Sequence, residues 1–154
     1  MLKSSASVLM PNDLAEALAM RADHLDAVAI AGGTDVMVYL ECGNINPSSF
    51  LNLWGLDELN QITVGEDGAI AIGALCTHAA IGAHPAIVKN APILVEACRT
   101  VGAQQIQNRG TLGGNIANGS PAGDTLPVLL ALDAEIEVMS RERGSRRIRM
   151  AAFY

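Results

Sequence analysis

The stretch from residue 102 to 123 constrains this chain more than any other. Gly102, Gly110, Gly113, Gly114, Gly119 and Gly123 stand there among Gln104, Gln105, Gln107, Asn108, Asn115 and Asn118. So much glycine raises the entropic cost of any regular element, and a loop of that length in a small domain is either functional or disordered. Ile106, Leu112 and Ile116 recur through it, which predicts a loop anchored on a core. Disorder of the whole chain is excluded, because half of its 154 residues are hydrophobic and only 17% are charged. Aromatics make up 3%, so the interior must be built from Ala, Val, Ile and Leu.

Before that stretch the pattern is that of a small α/β unit. Leu14, Ala17, Leu18 and Ala22 repeat at helical spacing with Asn12 available as cap, and the stripe should cover a sheet. Residues 27–31 are apolar on both faces and too short for a helix, which predicts a buried strand ending at Gly32-Gly33. A short helix follows, with Thr34 or Asp35 as cap and Gly43 as stop, then a strand over residues 50–53 and a turn over 56–59. Texture changes near Asp57. Residues 62–64 and 69–72 flank a glycine turn as an antiparallel hairpin. Helices are expected over 77–83, 92–101 and 124–132, and a last hairpin pairs 134–138 with 146–150. The boundary predicts two lobes, residues 1–56 and 57–154.

The charge of −6 is unevenly spread, since Arg141, Arg143, Arg146, Arg147 and Arg149 crowd into the last hairpin. An acidic body of this kind argues against nucleic-acid binding. The arginine run reads as a solvated hairpin rim or as a subunit contact. Cys42, Cys76 and Cys98 are widely spaced with no CxxC, which argues against a disulfide framework, an iron–sulfur centre or structural zinc here. His24, His78 and His84 lack metal-ligand spacing and read as surface or helix-end residues. No apolar run approaches the roughly 20 residues of a membrane span. Lys3 is followed by Ser4, Ser5 and Ser7, which interrupt any secretory signal, so a cytoplasmic location is expected.

Two constellations carry chemistry. Ala31-Gly32-Gly33-Thr34-Asp35 follows a strand and opens a helix, where thin backbone and unpaired N–H groups suit an anion; it also reads as a tight turn needing positive φ. It is neither GxGxxG nor GxxxxGK[ST]. Thr111, Gly113, Gly114 and Asn115 again suit phosphate oxygens, and two such nests imply a diphosphate. Arg109 would add charge to that site or brace the loop through carbonyls. Asp124 closes the run as helix cap or as ligand contact. No acid, base or nucleophile set accompanies these loops, so the chemistry would belong to a cofactor.

AGGTD at 31–35, IGALCTHA at 72–79, QNRGTLGGNIANGSPAGD at 107–124 and LPVLLALDAEIEV at 126–138 resemble the FAD-binding domain of the molybdenum hydroxylases, the xanthine dehydrogenase and aerobic carbon monoxide dehydrogenase group. The resemblance implies an α+β fold of the vanillyl-alcohol oxidase and MurB type, a small α/β lobe followed by a larger α+β lobe with FAD between them. It implies that the backbone at Ala31, Gly32, Gly33, Thr34 and Asp35 and at Thr111, Gly113, Gly114 and Asn115 holds the pyrophosphate, with Asp35 as an inward cap. Thr77 and Ser120 would lie along the cofactor, and Asp124 would bond its ribityl or ribose region. Partner subunits would carry [2Fe-2S] clusters and the molybdopterin cofactor, and electrons would pass through FAD to NAD or another acceptor. Gln107 stands where the family commonly has arginine. Family subunits continue past the point of Tyr154, which suggests a fragment or part of a split subunit. Two rivals stand beside this reading: an independent FAD-dependent reductase or oxidase, and a cofactor-free interaction module.

Overall fold

The computed structural model describes residues 6–154; Lys3, Ser4 and Ser5, on which the signal-peptide argument partly rests, lie outside the described residues. Strand β1 (Ser7–Leu9) leads through helix α1 (Leu14–Asp23) to β2 (Val28–Ile30), and helix α2 (Thr34–Glu41) leads on to β3 (Ser49–Asn52). The three strands form a parallel sheet in the order β1-β3-β2, with Val8 and Val28 both opposite Phe50. The crossovers therefore need helices, as parallel pairing requires. Strand β1 was not expected, because three residues carry too little periodicity to show.

The cap of α1 is Asp13, not Asn12. Asp13 has extended backbone and its Oδ1 accepts from Glu16 N at 2.7 Å, while Asn12 donates from its own backbone and side-chain nitrogens to Glu16 Oε2. The two adjacent amide and carboxylate residues thus divide a capping box between them. Ala17, 3% exposed, packs with Leu56 and Leu75, so α1 closes a small core that reaches well beyond the parallel sheet in sequence.

After the parallel sheet come a turn of 3-10 helix, Asp57–Leu59, and the hairpin β4 (Ile62–Val64) and β5 (Ile70–Ile72). Helices α3 (His78–Ala83), α4 (Pro85–Asn90) and α5 (Pro92–Thr100) follow; α4 was not foreseen, and Pro85 starts it at the first helical position. The main core joins Ile81, Ile87, Leu94, Val95 and Cys98 to Leu112, Ile116, Leu129 and Met150.

The glycine-rich stretch is not one loop. It contains helix α6 (Gln104–Gln107) and helix α7 (Leu112–Asn118). Gly113 and Gly114 each disfavour a helix by about 1 kcal/mol relative to alanine, so intrinsic propensity does not make α7. Burial of Leu112 and Ile116 and the Thr111 cap, whose hydroxyl accepts from Gly114 N at 3.1 Å, hold it instead. Helix α8 (Thr125–Ala131) and the antiparallel hairpin β6 (Glu135–Ser140) and β7 (Gly144–Arg149) complete the chain. Arg141 reaches Asp23 on α1 at 2.9 Å, while Arg147 and Arg149 pair with Glu137 and Asp133, so the arginine run is partly neutralised within the fold.

Candidate functional site

The two glycine turns meet. A cleft of about 400 Å³ is lined on the first turn by Ala31, Gly32, Gly33, Thr34 and Asp35, and around the second by Ala74, His78, Gly110, Thr111, Gly113, Gly114 and Asn115. The approach is close enough that a Cβ on Gly32 would land on the carbonyl oxygen of Arg109. Glycine is required there by contact rather than by dihedral angle.

The turns contribute differently. Gly33, at φ 78°, is the N-cap of α2 and brings no side-chain cap. Among the described residues no hydrogen bond uses the amides of Thr34, Asp35 or Val36. They form the positive end of a helix opening on the cleft, without internal partners. Neither Thr34 nor Asp35 caps α2, contrary to expectation, because glycine in the left-handed region already turns the chain.

At the second turn the amides are engaged. Leu112 N donates to Cys76 O at 3.0 Å, Gly113 N to Ala74 O at 2.9 Å and Gly114 N to Thr111 Oγ1. Backbone donation by Gly113 and Gly114, as the sequence suggested, is therefore not available in this conformation. What the turn offers is thinness and two side chains. Thr111 keeps its hydroxyl proton to donate. Asn115 accepts at Oδ1 from Thr125 Oγ1 at 2.5 Å, which leaves its Nδ2 to donate. Thr125 is fully buried and so fixes that amide. Free amides on one side, a hydroxyl and an amide nitrogen on the other, with thin backbone between them, fit an anionic diphosphate.

Asp35 is not a helix cap. Its Oδ2 accepts from Asn118 Nδ2 at 3.0 Å, and Asn118 Oδ1 accepts from Tyr39 Oη at 2.9 Å. Asn118 thus ties α2 to α7 and holds a carboxylate that would otherwise repel phosphate. The sequence placed it among the loop amides without this role.

Thr77, Ser120 and Asp124 are not among the lining residues. Thr77 caps α3 by accepting from Ala80 N, and its backbone bridges to Thr111. Ser120 Oγ accepts from Ala122 N at 3.3 Å. Asp124 is exposed and its side chain makes no cap bond. Arg109 braces the loop, but by stacking rather than by carbonyl bonds: its guanidinium lies 3.9 Å from the centroid of the Trp54 ring. Nothing in the sequence pattern marked Trp54.

His78 is a helix-end residue, as expected, but it is 2% exposed rather than on the surface. Burial pulls its pKa down, opposed by the charge of Asp124. Among the described residues no group of three His, Cys, Asp or Glu is placed to hold a metal, and no helix is long and apolar enough to cross a membrane.

Comparison with known proteins bears on the same residues. Residues 4–154 match the family described as "FAD binding domain in molybdopterin dehydrogenase". The chain is 34% identical to the xanthine dehydrogenase FAD-binding subunit of Escherichia coli O157:H7, covering 92% of this chain and 48% of that one. It is 36% identical to the nicotinate dehydrogenase FAD-subunit of Eubacterium barkeri, covering 94% and 49%. Among solved structures, carbon monoxide dehydrogenase from Hydrogenophaga pseudoflava matches with a TM-score of 0.92 at 26% identity, over 98% of this chain and 52% of that one. The chain spans about half the length of the curated relatives it matches.

Proposed function

The chain belongs to the family of FAD-binding domains in molybdopterin dehydrogenases, and we propose that it is the flavin-holding part of a molybdenum hydroxylase that relays electrons from partner [2Fe-2S] clusters to NAD or another acceptor. The observation that carries this reading is the meeting of both glycine turns on one cleft, with unengaged amides on one wall and Thr111 and Asn115 on the other. FAD held there would supply the redox chemistry, since a flavin can exchange one or two electrons.

The chain's own residues bind and orient. The amides of Thr34, Asp35 and Val36 and the Thr111 hydroxyl donate to the diphosphate, and the missing side chains of Gly32 and Gly113 let the Arg109 carbonyl and residue 74 close against the two turns. Asn115, turned by Thr125, donates from its free nitrogen. Asn118 holds the Asp35 carboxylate. Ser120, Thr77 and Asp124, outside the cleft lining, are assigned to more distant parts of the ligand or to the loops that frame it.

The test is mass and cofactor analysis of the native complex. Equimolar flavin together with an iron–sulfur chain and a molybdopterin chain supports the relay. Flavin without those partners favours an independent flavoenzyme, and a flavin-free chain in a stable complex favours an interaction module.

A further inference from the structure

His78 lies directly behind the second glycine turn. Its backbone N donates to Gly110 O at 3.1 Å, and Thr77 before it bridges to Thr111. The imidazole packs so closely on Gly110 that a Cβ there would sit 3.2 Å from His78 Cδ2. Nδ1 is enclosed and has no hydrogen-bond partner, and the ring borders the cleft while being only 2% exposed. A buried polar atom without a partner costs about 1–3 kcal/mol, so the site tolerates this ring only in its uncharged form.

We propose that His78 is a positioning residue for the flavin cradle: its neutral ring wedges the segment 110–115 into its binding form, and protonation of that ring releases the segment and with it the ligand. The inference rests on the flavin-binding reading above and adds a control to it. An imidazolium has no acceptor at Nδ1, so it must draw in water or leave the wall, and either movement displaces Gly110. That displacement propagates through the bonds from Leu112 N to Cys76 O and from Gly113 N to Ala74 O, which register the turn against residues 74–76.

One carboxylate among the charged surroundings, Asp124, acts on the ring. On α5, Glu96 and Arg99 are exposed and paired with each other, and Cys98 is a buried thiol. Lys89 on α4 is exposed, α6 carries no charge, and Arg109 is stacked on Trp54. His84 also has an enclosed, unpartnered Nδ1 but does not border the cleft, which makes it the control. Burial holds the His78 pKa below its ordinary value, so the ring is neutral near pH 7 and release belongs to the acid side.

The experiment uses the full chain with FAD as probe, titrated from pH 8 to pH 5, alongside amide protection factors at Gly113 measured without flavin. For the wild type, Kd should rise by up to about tenfold per pH unit below the His78 pKa, as one linked proton requires, and protection at Gly113 should fall in parallel. His78→Gln and His78→Leu should flatten both profiles, His84→Gln should leave them unchanged, and Asp124→Asn should move the transition to lower pH. Wild-type protection at Gly113 that does not change with pH overturns the proposal, as does an undiminished acid slope in both His78 variants. Absence of FAD binding at pH 8 with protection still falling on acidification would instead defeat the flavin reading and leave the positioning role standing.

Discussion

Asn118 donates its side-chain Nδ2 to Asp35 Oδ2 at 3.0 Å, across 83 residues of sequence. The same amide accepts from Tyr39 Oη, so one side chain joins the start and the middle of α2 to the end of α7. Both bonds are exposed, which limits each to about 0.5–1 kcal/mol. We expect Asn118→Ala to lower the unfolding free energy by roughly 1–2 kcal/mol on that basis and to weaken FAD binding several-fold, because the Asp35 carboxylate is then free to face phosphate. Asp35→Asn should separate the two effects. It costs roughly 0.3–1 kcal/mol of helix-dipole stabilisation yet leaves FAD affinity equal to or above wild type. Denaturant titration and flavin fluorescence read the two quantities, and an Asp35→Asn chain that binds FAD more weakly would contradict this role.

Gly113 and Gly33 are both glycines of the cleft, but for different reasons. A Cβ on Gly113 would lie 2.6 Å from Ala74 O and Ala74 Cβ, so the first turn of α7 must move away from residue 74. Gly33 meets only side chains at 3.6 Å or more, and its demand is conformational, φ 78°. Gly33→Ala should therefore cost about 1–2 kcal/mol, the left-handed penalty, with the cleft preserved. Gly113→Ala should break the bond from Gly113 N to Ala74 O and reduce flavin occupancy to a small fraction of wild type. Visible absorbance of the purified variants, compared at equal protein, makes the distinction. Equal flavin content in the two would show that the approach of α7 to residue 74 does not matter for binding.

The contrast also explains what the sequence could and could not express. Alternation and helical spacing mark elements that bury one face, so α1, α5, β2, β3 and both hairpins were legible within a residue or two. Helix α7 was not, since its local composition opposes a helix and only tertiary contacts favour it: the burial of Leu112 and Ile116 and the fit of Gly113 against Ala74. The cap of α1 was misplaced by one residue because Asn12 and Asp13 have similar capping chemistry and only backbone geometry chooses between them. At the site, the two turns were readable as motifs. Their unequal roles were not, because whether an amide is free depends on carbonyls at residues 74 and 76 that no local pattern announces. Trp54 and the role of Asn118 were invisible for the same reason, their partners being distant in sequence.

Stacking of Arg109 on Trp54 places a long-range contact beside the point where the Arg109 carbonyl faces Gly32. Trp54 is 37% exposed, so the interaction belongs to the weaker range for cation–π pairs, about 0.5–1 kcal/mol. Trp54→Leu should lower stability by that amount plus the lost ring packing, and Arg109→Met should do less, since its stem still covers the ring. In a double-mutant cycle the coupling should be of order 0.5–1 kcal/mol. Zero coupling would mean that the two side chains are merely adjacent and that the Gly32 contact alone sets the loop.

The three cysteines differ in burial, and that difference predicts both reactivity and the alkaline limit of the fold. Cys42 is exposed, while Cys76 and Cys98 are buried in the main core. Burial raises both inner thiols, and Cys98 is pushed up to about 11 from 9.0. The thiolate is the reactive form, so iodoacetamide at pH 8 should label Cys42 within minutes and leave the other two until the chain is unfolded, as peptide mass mapping would record. The sign for stability follows from the same shift. An unfolded chain deprotonates Cys98 from about pH 9 upward, whereas the folded chain holds the proton until about 11, so the stability present below pH 9 is lost progressively as pH rises through that window. Cys98→Ala should flatten this alkaline decline while lowering stability at pH 7 through the small cavity it leaves. An alkaline unfolding profile identical in wild type and Cys98→Ala would assign the decline to other groups.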